Sequence, residues 1–159
     1  MSPRAAWRLE SLGFAEVYDY VAGKLDWMAA GLPTEGTNAA RPRVGQVARK
    51  DVPTCSLEER LGAVRDRVRA LGWDVVVVVN DHRVVLGLLR SKELDGDPGL
   101  SIEQAMRPGP STFRPFVTVE EMARYFGEHD LPNAPVTTSD GRLVGLLLRS
   151  DAVQEPEPM

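Results

Sequence analysis

The side chains that most often carry chemistry are sparse in this chain, which has one cysteine and two histidines in 159 residues. A cysteine is a nucleophile only as its thiolate, in an electropositive and accessible setting. Cys55 ends the stretch Val52-Pro53-Thr54-Cys55 and reads as a small buried hydrophobe on a first strand. A single cysteine excludes an intrachain disulfide and fits a reducing cytoplasm. A metal needs clustered donors, and neither His82 nor His129 has ligand-like spacing around it. They read as a turn residue and a helix-end residue. No Gly-rich phosphate loop and no Ser-His-Asp set stands out. The expectation is a protein that is not an enzyme. Two carboxylates remain, Glu93 and Asp151, each shortly behind an Arg-Ser pair. Taken alone, Asp151 reads as the N-cap of a last short helix that Pro156 soon ends, and Arg90 and Arg149 as a solvated surface pair.

Their interest comes from the line that holds them, which is written twice. Residues 80–94 read NDHRVVLGLLRSKEL and residues 139–153 read SDGRLVGLLLRSDAV. Aligned without gaps, Arg83 falls on Arg142, an offset of 59 residues. Asp81, Val85, Leu88, Leu89, Arg90 and Ser91 then meet identical residues at Asp140, Val144, Leu147, Leu148, Arg149 and Ser150. Gly87 and Gly145 slip by one, so the first turn is one residue longer.

The elements before each line also match in kind. Leu57, Leu61, Val64, Val68 and Leu71 fall on one helical face, and Ser56 with Glu59 predicts a capping box at its start. Thr118 with Glu121 predicts the same box before a helix carrying Val119, Met122, Tyr125 and Phe126. A buried strand follows each helix, Val75 to Val79 and Ala134 to Thr138, then a tight turn and a second apolar strand. Half of such a module has too little core to stand alone, so two copies packed face to face share one.

A β-α-β-β-α unit of about 55–60 residues in tandem, each copy ending in Gly-h-h-x-x-x-[Asp/Glu] (h, apolar), resembles the cystathionine-β-synthase (CBS) domain pair. The likeness covers residues 41 to 153, with lead-ins VGQVARKDVPT and EQAMRPGPST. It implies an α/β (α+β) fold of two repeats, 44–97 and 98–155, packed about a pseudo-twofold axis. It also implies a regulatory, ligand-sensing role, with an adenosine nucleotide of the AMP, ATP or S-adenosylmethionine type between the repeats and no other cofactor. In the family the carboxylate closing the phrase holds the ribose diol, and a Thr or Ser three residues after the glycine assists. Carried over, the first site would use Glu93 with Arg90 at the Thr position, plus Val52, Pro53, Thr54, Trp73, Val75 and Val76. The second would use Asp151 with Leu148 at that position, plus Pro110, Ser111, Thr112, Asn133, Ala134, Pro135 and Val136. Glu93 still accepts two hydroxyls, Arg90 can reach a phosphate bidentately, and Leu148 offers no hydrogen bond. The rival readings are a structural dimerising or interaction module without ligand and a remnant of a sulfurtransferase.

Residues 1–37 resemble the C-terminal end of a rhodanese-like domain, through a helix Arg4 to Leu12, a strand Val17 to Tyr20 and a helix Lys24 to Ala30 ahead of GLPTEG. The likeness implies an α-β-α appendage without the sulfur-carrying cysteine, joined through a linker at 38–43. A net charge of −4 gives no reason to expect nucleic acid, and no apolar run reaches membrane-spanning length. A soluble cytoplasmic homodimer is expected, with residues 1–37 packing across it.

Overall fold

Four successive valines leave a strand no polar side, and that strand lies between two cores. The structure is a computed structural model that describes residues 2–21, 23–30, 32–37 and 39–153. The Pro156 stop and the last two residues of the second predicted repeat lie outside the described residues. The appendage holds helices α1 (Ser2–Ser11) and α2 (Gly23–Ala29). The first copy runs α3 (Val44–Val47), β1 (Thr54–Cys55), α4 (Leu61–Ala70), β2 (Val76–Val79), β3 (Val85–Leu89) and α5 (Ser91–Leu94). The second runs α6 (Ile102–Ala105), β4 (Arg107–Pro108), α7 (Val119–His129), β5 (Asn133–Thr137), β6 (Leu143–Leu148) and α8 (Arg149–Val153). The fold is mixed α/β, with a four-stranded sheet in the order β1-β2-β3-β4 and the antiparallel pair β5-β6.

Val76 and Val78 point with Leu89 into a core closed by Leu61, Val64 and Val68 of α4. Val75, Val77 and Leu88 point the other way, onto Leu143 and Leu146 of the second copy. Burial of a side chain of this kind contributes about 1.5–3 kcal/mol, so β2 stabilises two layers at once. The second copy has its own core of Met122, Phe126, Ala134, Val136 and Leu147. The central layer is the shared core that half a module lacks.

The lead-ins exchange places. Val44 and Ala48, from the first copy's lead-in, are buried in the second copy's core. Ile102 of α6 is buried in the first copy's core. Matching backbone bridges hold the exchange: Arg43 with Thr118 and Arg60 with Ser101, then Arg49 with Leu146 and Arg107 with Leu88. The repeated glycines are what allow this. A Cβ on Gly145 would lie 2.8 Å from the Arg49 carbonyl oxygen, and one on Gly87 3.0 Å from that of Arg107. Each glycine thus lets the other copy's lead-in cross its strand. The expected longer first turn is not found: Val78 pairs with Gly87 and Val79 with Val85 as Val136 does with Gly145 and Thr137 with Leu143, so the two hairpins are equal in length, each with a register shift at that point.

Several local expectations need correction. Ser56 and Glu59 do pair, with the Ser56 N–H donating to Glu59 at 2.8 Å. That pair closes a turn ahead of the helix, because α4 begins at Leu61 with Arg60 as its N-cap. Leu57 therefore precedes the helix, and Leu71 sits at its C-cap, 62% exposed. Arg67 claims Glu59 at 2.7 Å, which ties that turn to α4. Val17 to Tyr20 form no strand; they enter no ladder among the described residues. The second lead-in makes its parallel contact at Phe113 with Val136, one residue past Pro110-Ser111-Thr112. The Thr118 box is as expected, with Thr118 Oγ1 accepting from the Glu121 N–H at 3.2 Å and the Thr118 N–H donating to the Glu121 carboxylate at 3.0 Å.

Candidate ligand clefts

β3 runs straight into α5, and β6 into α8, so both repeated carboxylates lie in the first turn after a strand. Glu93 is the third residue of α5, and its Oε2 accepts from the Arg90 N–H at 3.0 Å. Its Oε1 accepts from Arg107 Nε at 2.6 Å. Asp151 is gripped at both oxygens by Arg49, Nε to Oδ2 at 2.7 Å and Nη2 to Oδ1 at 3.0 Å. The two ion pairs are counterparts: each arginine comes from a lead-in of one copy and each carboxylate from the last turn of the other. The carboxylate side chains are 11% and 12% exposed, whereas Arg107 and Arg49 are 58% and 50% exposed.

Both acids are held below the usual carboxylate range. For Glu93 burial opposes ionisation, but the Arg107 guanidinium and the backbone N–H of Arg90 together outweigh it. For Asp151 the hydrogen bond from Arg49 leads, ahead of burial. Each copy thus presents an ionised carboxylate beside a guanidinium from the other.

Arg90 does not stand on the surface. Its Nε donates to Asn133 Oδ1 and its Nη2 to the Asn133 carbonyl oxygen, both at 3.0 Å. Burial, and then the charge of Arg107, depress its pKa. The residue nominated at the first cleft is therefore clamped onto the strand start of the second. Leu148 lies against the central core instead. Arg149, the other member of the expected surface pair, is half-buried and bonds Asp130 at 3.0 Å.

The remaining nominated residues divide by burial. Val75, Val76, Ala134 and Val136 are core side chains, so their backbone is what they can offer a ligand. Val52 and Pro53 are buried, and the Pro53 carbonyl oxygen accepts from the Val77 N–H at 3.1 Å. Pro135 does the same for Phe113, also at 3.1 Å. Thr54, Trp73, Pro110 and Thr112 are half-buried and Ser111 is exposed. Sequence reasoning missed Arg49 and Arg107. Their signal was their equal place in the lead-ins, VAR and AMR, but nothing local shows that each reaches the opposite copy.

Cys55 is buried, with its thiol pushed up to about 12 by burial and then by Glu59. His129 ends α7 with its ring stacked on Tyr125 at 4.0 Å. His82 sits in the turn closed by Asn80, whose Oδ1 accepts from its N–H at 3.0 Å. No metal-ligand group and no helix long and apolar enough to cross a membrane occurs among the described residues.

Residues 102–157 match the family model of the CBS domain. An uncharacterized protein of Methanopyrus kandleri is 26% identical over 122 residues, 70% of this chain and 61% of that protein. The chain thus spans less than two thirds of that relative's length. The AMP complex of CBSX2 shares the fold with a TM-score of 0.65 at 19% identity, over 71% of this chain and 94% of that one. The cytosolic domain of the Mg2+ channel MgtE in complex with ATP does so with a TM-score of 0.65 at 23% identity, over 70% of this chain and 48% of that one. The second copy therefore matches the CBS domain model, within a fold shared with the CBSX2 and MgtE structures.

Proposed function

We propose that the two copies form a regulatory module that senses an adenosine nucleotide in the clefts between them, and that it does so by binding, without catalysis, in the cytoplasm. The observation that carries this reading is the matched pair of shielded, ionised carboxylates, each next to an arginine of the other copy. A carboxylate accepts from both hydroxyls of a ribose, and an adjacent guanidinium suits a phosphate. The CBSX2 and MgtE structures, with AMP and ATP bound, support the ligand class. Val52, Pro53, Thr54 and Trp73 would flank the base at Glu93, and Pro110, Ser111, Thr112 and Asn133 at Asp151. Melting curves against AMP, ATP and S-adenosylmethionine test the reading. A ligand that binds only the native state at a hundred times its Kd adds about 2.7 kcal/mol, which moves the midpoint by several degrees. No shift with any of the three at millimolar concentration sinks it.

A second reading concerns assembly. Among the described residues, eleven large apolar side chains are exposed, and nine of them, from Trp7 to Leu32, belong to the appendage. Apolar surface concentrated in that way suits a partner, and a second copy of this chain is the simplest one. We read residues 1–37 as a segment like the C-terminal end of a rhodanese-like domain that packs across a homodimer. Light scattering that finds a monomer at micromolar concentration refutes the dimer. Sulfurtransferase turnover by the purified chain refutes the reading without catalysis.

A further inference from the structure

The two ion pairs match, but the residues around them do not. Arg107 of β4 stands opposite Leu88 of β3. Arg90 continues that strand in extended backbone, φ −100° and ψ −179°, so it shares a face with Leu88 and Arg107. Arg49 bridges Leu146 in the same way, which puts Leu148 where the first copy has Arg90. One ion pair thus has a further cation beside it and the other an apolar side chain. The difference reaches one residue deeper. Arg90 forks onto Asn133, whereas Leu148 shares the central core with Val75, the first copy's counterpart of Asn133. The lead-ins differ too: two residues on, Asp51 follows Arg49 and Gly109 follows Arg107.

The balance of charge is therefore opposite at the two places. At Glu93 one carboxylate faces two guanidiniums. Arg90 makes no salt bridge among the described residues; its Nε and Nη2 go to the neutral Asn133. Burial and the like charge of Arg107 work against it, and Glu93 offsets them only in part. Asp74 is exposed and accepts from Ser91 Oγ at 3.2 Å. At Asp151 one guanidinium faces two carboxylates, since Arg49 is held by Asp151 and also feels the charge of Asp51. Lys50, between Arg49 and Asp51, lines a separate cavity with Gln46 and Phe116. When a ribose takes Asp151, Arg49 has a second acid to turn to. When a ribose takes Glu93, Arg107 has no such acid in its lead-in, because Gly109 stands in that place.

We propose that the two clefts take adenosine ligands of opposite charge, a phosphorylated one at Glu93 and one with a cationic 5′ group at Asp151, with Arg90 and Asp51 setting the choice. This rests on the nucleotide-sensing reading and assigns each cleft its own ligand class. Titration calorimetry on the full chain with AMP and with 5′-amino-5′-deoxyadenosine, which replaces the phosphate by an ammonium, tests it. One of each is expected per chain, and saturating AMP leaves binding of the amine unchanged. Asp51→Asn, at an exposed position, weakens the amine about fivefold and spares AMP. Asp51→Lys raises the AMP stoichiometry from one to two. Arg90→Lys and Arg90→Gln both break the fork onto Asn133, so the difference between them reads charge: AMP weakens about tenfold more in Arg90→Gln. Competition of the two ligands for one place overturns the division and leaves the sensing reading standing, as do two equal AMP sites in the unsubstituted chain or equal losses in the two Arg90 variants. No binding of either ligand at millimolar concentration removes both.

Discussion

Arg49 and Asp151 meet through two hydrogen bonds, 2.7 and 3.0 Å, across 102 residues of sequence. Arg107 and Glu93 repeat the relationship in the opposite sense at 2.6 Å. A ligand that lays its ribose on either carboxylate must compete with an arginine, and the displaced guanidinium then stands beside the ligand's phosphate. Arg107→Ala should therefore weaken AMP about tenfold while leaving adenosine equal or tighter, since it removes both an anion partner and a competitor. Calorimetry with both ligands checks this. An equal loss for AMP and adenosine would show that the arginine only shapes the site.

Glu93→Gln exchanges two acceptor oxygens for one and leaves a donor facing the diol. A hydrogen bond to a charged group contributes about 1.5–3 kcal/mol, so AMP affinity should fall about ten- to a hundredfold. Asp151→Asn should cost a phosphorylated ligand less. Wild-type binding in both variants would reduce the repeated carboxylates to structural partners of the arginines.

Arg90→Leu copies the residue found at the matching place in the second copy. It leaves the buried Asn133 side chain, 6% exposed, without the donor to its Oδ1. An orphaned buried acceptor costs about 1–3 kcal/mol, so the urea midpoint should drop with an unchanged slope. An Asn133→Ala background should remove most of the effect. Full additivity would rule out the clamp.

Gly145→Ala places a methyl 2.8 Å from a backbone oxygen of the crossing lead-in, a contact that no side-chain rotation relieves. Overpacking of this kind costs about 1–3 kcal/mol and should also shift Arg49 off Asp151. Chemical denaturation reads the first effect, and a fall in nucleotide affinity the second. An unchanged midpoint would mean that the lead-in can retreat.

Acid should unfold the protein through identifiable groups. Glu59, Glu93, Glu121 and Asp151 are all held below the usual carboxylate range. Their folded pKa values lie under the unfolded ones, so their contribution is complete above about pH 4.5 and disappears as pH falls through the folded values. A chain with both Arg49→Ala and Arg107→Ala should show a shallower acid slope. At the alkaline end Cys55, raised from 9.0 to about 12, contributes fully below pH 9 and its share is lost between those values. In the native protein Cys55 should resist thiol reagents until denaturant is added; rapid native labelling would contradict its burial.

The parts of this fold that were legible are those in which neighbours in sequence are neighbours in space. The Thr118 box, the valine strand, the buried cysteine and the duplicated hairpin all rest on periodicities a few residues long. The Ser56 box was legible as a pair but not as a position, because the chain turns once more before Leu61 starts the helix. Val17 to Tyr20 have strand-like composition, but a strand needs a partner edge, and none reaches them among the described residues. The exchange of lead-ins was hidden for a deeper reason. Val44 and Ile102 are apolar either way, and no local pattern says whose core they enter. Arg49 and Arg107 went unnoticed with them, since an exposed arginine earns attention only once its distant acid is known.

That exchange also sets an order of events during synthesis. Val44 precedes the second copy, yet the second-copy side chains that share its core run from Phe113 to Ala152. The first copy's own core waits for Ile102. Neither half can finish while the chain is still growing through the other. Completion of either core is therefore deferred until the second copy has emerged, and the two copies reach the native state together rather than in turn.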